Sequence, residues 1–327
     1  MATQTIYSLS ISARAAIDMH SLNNEGGESN QTMTRMVTIV HKTKDADGKT
    51  KYEPTTVNAI SGDMFKHIQA EHLYRLANGK LPLCAGCQKF SGSRILEDDE
   101  FMKNLAKKDG DVINALLERC AMDDLEGNLI AKGNRSVPRK SVSEFGWVVG
   151  VPTTTDGKRL TQTESYFHVR YATERGDEST SQPIFHRPAS SGVYAVIANF
   201  EMARIGFNDI RQKYAIKDDE RERRYKAFAE SILYTFVEPN GAMRGTQNPH
   251  ILGFEGAVTV SANVMPAPAL SALDENYRDE LARVASALNQ VRANAVAVRP
   301  FNSMGEFAEI MQDVIANGVP YKFNYGG

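Results

Sequence analysis

Tyr7, Leu9, Ile11, Ala13, Ala15 and Ile17 are apolar, and Ser8, Ser10, Ser12 and Arg14 fall between them. This period of two predicts a half-buried strand over 7–17, with one apolar face and one small, polar face. An Asn-rich stretch, 21–35, follows as a loop. Met36–Thr43 and Lys51–Ile60 read as two more strands, joined at the turn signal Asp45-Ala46-Asp47-Gly48. The period then becomes helical. Ser61 suits an N-cap and Gly79 a C-terminal stop. Met64, Phe65, Ile68, His72, Leu76 and Ala77 would form the inner stripe of a helix reaching Asn78.

Residues 80–145 read as an insertion with an acidic helix pair over roughly 97–124 and a polar, Gly- and Arg-bearing link at Lys132–Lys140. A long excursion rich in Thr, Ser, Arg and Gly begins at Trp147–Val151 and ends near Gly192. Tyr166–Ala172 and Gln182–Arg187 are its expected hairpin arms. Val193–Met202 is the most strand-like run of the second half, and Asp219–Phe236 an amphipathic helix. A Gly-punctuated loop, 241–256, leads into a strand at Ala257–Val264. A helix (271–294), a strand (Ala295–Phe301) and a helix (303–317) with a Ser303/Glu306 capping box complete the pattern. Strands and helices alternating around one sheet predict an α+β core of the ferredoxin-like or RNA-recognition-motif type.

Composition narrows this little. The chain has 327 residues, 42% apolar and 24% charged, with net charge −2, so it carries no global basic field. Any polyanion contact must come from a local patch. Charge is segregated: residues 35–80 hold eight Lys/Arg against five Asp/Glu, and 97–126 hold four against ten. Such sectors could let copies stack head to tail, or could be ordinary solvated faces. Three cysteines, no signal-peptide pattern and no long apolar run lead us to expect a cytoplasmic protein without a membrane partner.

Several residue groups suit a long polyanion. Ser61, Gly62, Lys66 and His67 sit at a helix N-terminus, where backbone N–H groups and the dipole favour an anion. Arg14 ends the polar face of the first strand, a place for a phosphate contact. Asn30, Thr34 and Arg35 offer amide, hydroxyl and guanidinium groups to phosphate or ribose. Arg170, Gln182, Phe185, His186 and Arg187 combine aromatic bulk with charge, as a sequence-tolerant intercalator needs. Met243, Arg244 and Gly245 lie in a Gly-rich loop that can expose amides to phosphate. No Gly-Lys-Ser/Thr follows, so it is not a Walker loop. Each group also has a plain reading: an N-cap, a surface Arg, a solvated loop, a packed hairpin. His72 reads as a core-facing helix residue. Cys84-Ala85-Gly86-Cys87 is the one metal-like motif. A structural zinc site wants four ligands, and only Cys120 remains among the thiols. His20, His41, His67 or His72 could complete it, but no spacing selects one, so a reduced structural pair without a cofactor is the expectation.

The Ser-Ile-Ser-Ala-Arg strand, Leu22-Asn23, the Asn30-to-Arg35 loop, Ser61-Gly62 with Lys66-His67, and the loop at 241–245 together resemble one family. It is the crRNA-binding backbone subunit of type I CRISPR Cascade complexes, in its DevR autoregulator branch. The resemblance implies a palm like an RNA-recognition motif (1–79 and 192–327), a helical fingers insertion (80–151) and a β-hairpin thumb (152–191). It implies a non-catalytic antiviral scaffold. Copies would polymerise along crRNA, beside other Cascade subunits, and present the guide to target DNA. The competing reading is a metal-dependent endoribonuclease, as in type III backbone subunits, with Asp18 nearest the expected position. A third is a duplex-DNA-binding regulator, for which no helix-turn-helix or basic helix is apparent.

Overall fold

The structure, a computed structural model, describes residues 4–23, 27–28, 31–32, 34–45, 47–152, 161–169, 184–242 and 244–325. Seven strands carry the fold: β1 (Ser8–His20), β2 (Met36–Lys44), β3 (Thr50–Ile60), β4 (Val148–Gly150), β5 (Ile184–Phe200), β6 (His250–Ser261) and β7 (Val296–Phe301). They lie in the order β7-β6-β1-β5-β4-β3-β2, every neighbouring pair antiparallel. The described residues form seven α-helices: α1 (Gly62–Ala77), α2 (Asp99–Lys103), α3 (Asp109–Arg119), α4 (Ala121–Glu126), α5 (Asp218–Val237), α6 (Tyr277–Val291) and α7 (Met304–Asn317). The fold is α+β, as expected.

One layer of the core sits between the sheet and α1, α5 and α7. Leu9, Ile11 and Ala13 of β1 are fully buried there with Phe65, Leu73, Phe228, Ile232 and Met311. Phe236 stacks on Phe254 at 5.1 Å between ring centroids, and Phe301 meets Phe307 at 5.2 Å. Ser61 caps α1 by accepting from the Met64 N–H, and Gly79 adopts φ +74° beyond the helix end. Both signals were readable in the chain. Within α1, Gln69 and Leu73 are buried, whereas Met64 and Leu76 are only half-buried. The stripe is therefore rotated slightly from the expected one.

The other face of β1 departs from expectation. It is not half-buried, because the segment 267–272 lies along it as a strap. Ser8 Oγ accepts from the Ala267 N–H (3.2 Å), Ser10 Oγ donates to Pro268 O (2.8 Å) and Ser12 Oγ accepts from the Leu270 N–H (3.0 Å). Hydroxyls on alternate strand residues suit an extended backbone, whose polar groups recur at a similar spacing. Ala272, Tyr277 and Leu281 behind the strap then pack on Val57, Ala59, Val149, Ala195 and Ala257 in a second core layer.

Four further boundaries differ. Lys132–Lys140 is not a link. Asn128–Lys132 and Arg135–Arg139 pair as a hairpin that buries Ile130 and Val137, with Gly133 at φ +60° in its turn. Val148–Gly150, read as the start of the excursion, is a sheet strand between β3 and β5. The hairpin arms are longer than expected. Thr161–Val169 pairs with β5, from Thr161 opposite Gly192 to Val169 opposite Ile184. β5 then continues into the core without a break, past a register irregularity at Ser190/Gly192. β6 begins at His250, inside the expected 241–256 loop.

Candidate nucleic-acid interface

The C-terminal end of β1 gathers several of the singled-out segments. Ser21 Oγ donates to Pro188 O on β5. Leu22 O accepts from the Ala242 N–H (3.1 Å), which brings the 241–247 loop alongside. Asn23 bridges two strand ends: its Nδ2 donates to Ala59 O (3.2 Å) and its Oδ1 accepts from the Ser61 N–H (3.0 Å). Thr34 Oγ1 lies 3.4 Å from Ser190 Oγ, and Asn58 Nδ2 donates to both Thr34 Oγ1 and Arg35 O. Arg187 Nη1 donates to Thr246 Oγ1 at 3.4 Å. Thr34, Arg35, Ser61, Gly62, Arg187, Arg244 and Gly245 are thus drawn around one sheet end from four separate stretches of chain.

Beneath them lies a buried polar relay that sequence reading missed. His20 Nε2 is 2.7 Å from Tyr194 Oη, which donates to Asn58 Oδ1 at 2.9 Å. Burial lowers His20 to about 4, so it is neutral at physiological pH, and raises the Tyr194 hydroxyl. The relay holds Asn58, and Asn58 in turn holds the Thr34 hydroxyl and the Arg35 carbonyl. Nothing in the local pattern marks Asn58, because its partners are distant in sequence. Trp147, by contrast, could have been suspected as the only tryptophan of the chain. It is 43% exposed, and the Arg35 guanidinium lies over its ring at 5.4 Å. An exposed ring beside a cation offers a base a stacking face.

The other expected contacts are placed differently. Arg14 is not presented on an open strand face: its Nε donates to Ala272 O of the strap at 2.9 Å. Gly62 does permit a close backbone approach, but that of the chain itself, since a Cβ there would stand 2.5 Å from Phe145 O. Arg244 pairs with Glu238 (2.9 Å) and Asn240 (2.6 Å). Asn30, Arg170, Gln182 and Met243 lie outside the described residues. Phe185 and His186 fall on β5 opposite His168 and Phe167, in the hairpin arm where they were expected.

Lys66 and His67, one turn into α1, open onto a cleft of about 320 Å³ lined also by Asp63, Phe90, Arg94 and Met122. His67 is exposed, its ring 5.6 Å from that of Phe90. Burial lowers Lys66, while the nearby Glu126 carboxylate works the other way. His72 is buried and its Nε2 meets Glu238 O at 2.9 Å, as expected of a core-facing residue.

Glu126 is itself buried, and among the described residues neither of its carboxylate oxygens makes a hydrogen bond of ordinary geometry, the Gln69 side chain alone lying near enough to act on it as a hydrogen-bond donor. Burial raises it, against the opposing fields of Arg94 and Lys66. A raised carboxyl keeps its proton in the folded chain at a pH where the unfolded chain has lost it. Its neutral form therefore contributes stability that is complete below the ordinary Glu range and lost as pH rises through the folded value. Glu126→Gln should abolish that loss and stabilise the protein at pH 8 by about 1–3 kcal/mol. Thermal melts of both proteins at pH 5 and pH 8 check this; an equal gain at both values would contradict it.

Asp18, the nearest residue to a type III-like catalytic position, lies opposite His250 in the β1–β6 ladder. Among the described residues, the single group of three or more His, Cys, Asp or Glu close enough to share an ion is Cys84, Cys87, Cys120 and Asp123, which excludes Asp18. No helix among the described residues is long and apolar enough to cross a membrane.

Comparison with known proteins defines the class. Residues 11–282 match the model of the CRISPR-associated negative auto-regulator DevR/Csa2 family. The chain belongs to that family, as the resemblance of its motifs led us to expect. It is 25% identical over 267 residues to the CRISPR-associated protein Cas7/Csa2 1 of Saccharolobus solfataricus, covering 79% of this chain and 80% of that protein. It is also 25% identical over 276 residues to the CRISPR-associated protein Cas7/Cst2/DevR of Methanocaldococcus jannaschii, covering 79% of this chain and 82% of that one. Among solved structures, a chain of a CRISPR RNA-guided surveillance complex in a pre-nicking state aligns over 97% of this chain and 96% of its own. The TM-score is 0.48 at 12% identity, and the family assignment rests on the family model instead.

Proposed function

We propose that this protein is the crRNA-binding backbone subunit of a type I CRISPR surveillance complex. Copies would polymerise along the guide, beside other subunits, and present it for pairing with target DNA in antiviral defence. The observation that carries the reading is the family match across 11–282.

The geometry suits it. β6, β1, β5 and β4 stand in the spatial order 4-1-3-2 of a βαββαβ unit, with α1 and α5 as its two crossovers. We read this as the RNA-recognition-motif-like palm. The arm 161–169 with the start of β5 would be the thumb, and the helices and hairpin within 80–151 the fingers. The strap over β1 then moves the RNA path away from the sheet face usual for such palms. We place it at the sheet end where Arg35, Trp147, Arg187 and the 241–247 loop converge, below the thumb base. The protein would hold the backbone by charge and shape and leave sequence reading to base pairing. We expect no catalysis and a cytoplasmic location.

Titration of a labelled repeat–spacer RNA at several salt concentrations tests this. The reading requires saturable binding that weakens steeply with salt. Binding equal for the RNA and for duplex DNA of the same length would count against it.

A further inference from the structure

The strongest unassigned feature lies in 80–128, away from the sheet end just described. Cys84 and Cys87 flank a tight loop, Cys120 is the N-cap of α4, and Asp123 lies in its first turn. Their four ligand atoms all fall within 4.8 Å of one another, and all four residues are buried. None of the cysteines is in a disulfide. Cys84 Sγ is 3.2 Å and Cys87 Sγ 3.6 Å from Asp123 Oδ2.

We propose that Cys84, Cys87, Cys120 and Asp123 form a structural zinc site. The spacing fits. A tetrahedron with Zn–S of about 2.3 Å and Zn–O of about 2.0 Å has S···O edges of about 3.5 Å and S···S edges of about 3.8 Å. The two S···O distances bracket that edge. The surroundings also fit thiolate ligands. The Cys87 N–H points to Cys84 Sγ at 3.4 Å, and the Asp123 N–H to Cys120 Sγ at 3.5 Å. Asn128 Nδ2 donates to Asp123 Oδ1, leaving Oδ2 turned toward the sulfurs, as an outer-shell partner orients a ligating carboxylate. The loop is shaped for it as well. A Cβ on Gly86 would stand 2.1 Å from Arg94 O, so only glycine allows the turn that brings the first two sulfurs together.

Sequence spacing does not single out the fourth ligand, because it is a carboxylate three residues after the third cysteine and not a histidine. The ion would pin the 84–87 loop to α4, and Cys87 lines the Lys66–His67 cleft. Zinc would thus set one wall of that cleft. The proposal is independent of the RNA reading.

The test is elemental analysis of full-length protein purified without chelator under reducing conditions, followed by cobalt exchange. We expect one zinc per chain. The cobalt form should show near-ultraviolet thiolate charge-transfer absorption and the intense visible bands of a tetrahedral ion. Asp123→Asn should shift the visible bands, and Cys87→Ser should release the metal. Should Cys87→Ser fail to fold, chelator-driven release of zinc from the wild type, with exposure of three thiols, gives the same answer. Bound iron with the same thiolate signature would support the site. A folded, metal-free chain that acquires no cobalt bands, or a Cys84–Cys87 disulfide in its place, overturns it.

Discussion

Asp124→Ala should destabilise the protein by about 3–5 kcal/mol. Asp124 is fully buried between two arginines that are themselves 1% and 0% exposed. Its Oδ1 accepts from Arg139 at 2.7 Å, and its Oδ2 from Arg224 at 2.9 Å and the Gly206 N–H at 2.9 Å. Arg139 also reaches Phe207 O and Arg204 O, both at 2.8 Å, and Arg224 reaches Glu220 at 2.7 Å. Removing the carboxylate therefore takes from two buried cations their one fully buried counter-ion, leaving Arg139 with Asp209 at 3.1 Å and Arg224 with Glu220 at 2.7 Å. The network ties α4 and the 128–139 hairpin to α5 and the 204–209 turn, so its loss should loosen these elements from one another. Arg224→Ala should cost a similar amount without touching the cysteine cluster. Urea unfolding of both variants provides the check, and a loss below about 1 kcal/mol in each would refute the assignment.

The second large effect concerns RNA. Arg35→Ala with Arg187→Ala should weaken guide binding by on the order of 10- to 100-fold near physiological salt. The slope of log K against log salt should fall by about 1.4 per protomer, from two lost single-strand phosphate contacts. Arg35 is half-buried over Trp147, and Arg187 lies on β5 opposite Tyr166 and donates to the Thr246 hydroxyl. Arg244 provides the internal contrast. Its charge is already paired with Glu238, so Arg244→Ala should change affinity by less than about threefold. Fluorescence anisotropy across a salt series separates these outcomes. Unchanged affinity in the Arg35/Arg187 double variant would show that the sheet end is not the RNA path.

What the chain made legible, and what it hid, follows from range. The alternation in β1, the Ser61 cap and Gly79 stop of α1, and the Ser303 cap of α7 are local devices. Each is complete within a few residues, and each was readable. The features that decide the site are assembled across the chain. The serines of β1 look like an open polar face until residues some 258 positions later cover them. Arg14 is absorbed by the same strap. Asp124 and Arg224 are 100 residues apart, and Asn58 and Tyr194 are 136 apart. No period or motif records such pairings. Arg35 and Arg187 were readable as charges, but their convergence on one sheet end needed the fold. The cysteine pair was readable as a motif with Cys120 as the remaining thiol, but the Asp123 carboxylate beside them was not.

The nucleic acid that accompanies the purified protein is the decisive test of the proposed guide-RNA scaffold. Co-expression with a repeat–spacer transcript and its processing nuclease, then size exclusion with absorbance ratio and particle mass, provides the reading. A mass of several copies, a high 260/280 ratio and protected RNA of spacer sequence are the predicted result. A nucleic-acid-free monomer, even with the other complex subunits co-expressed, would contradict it.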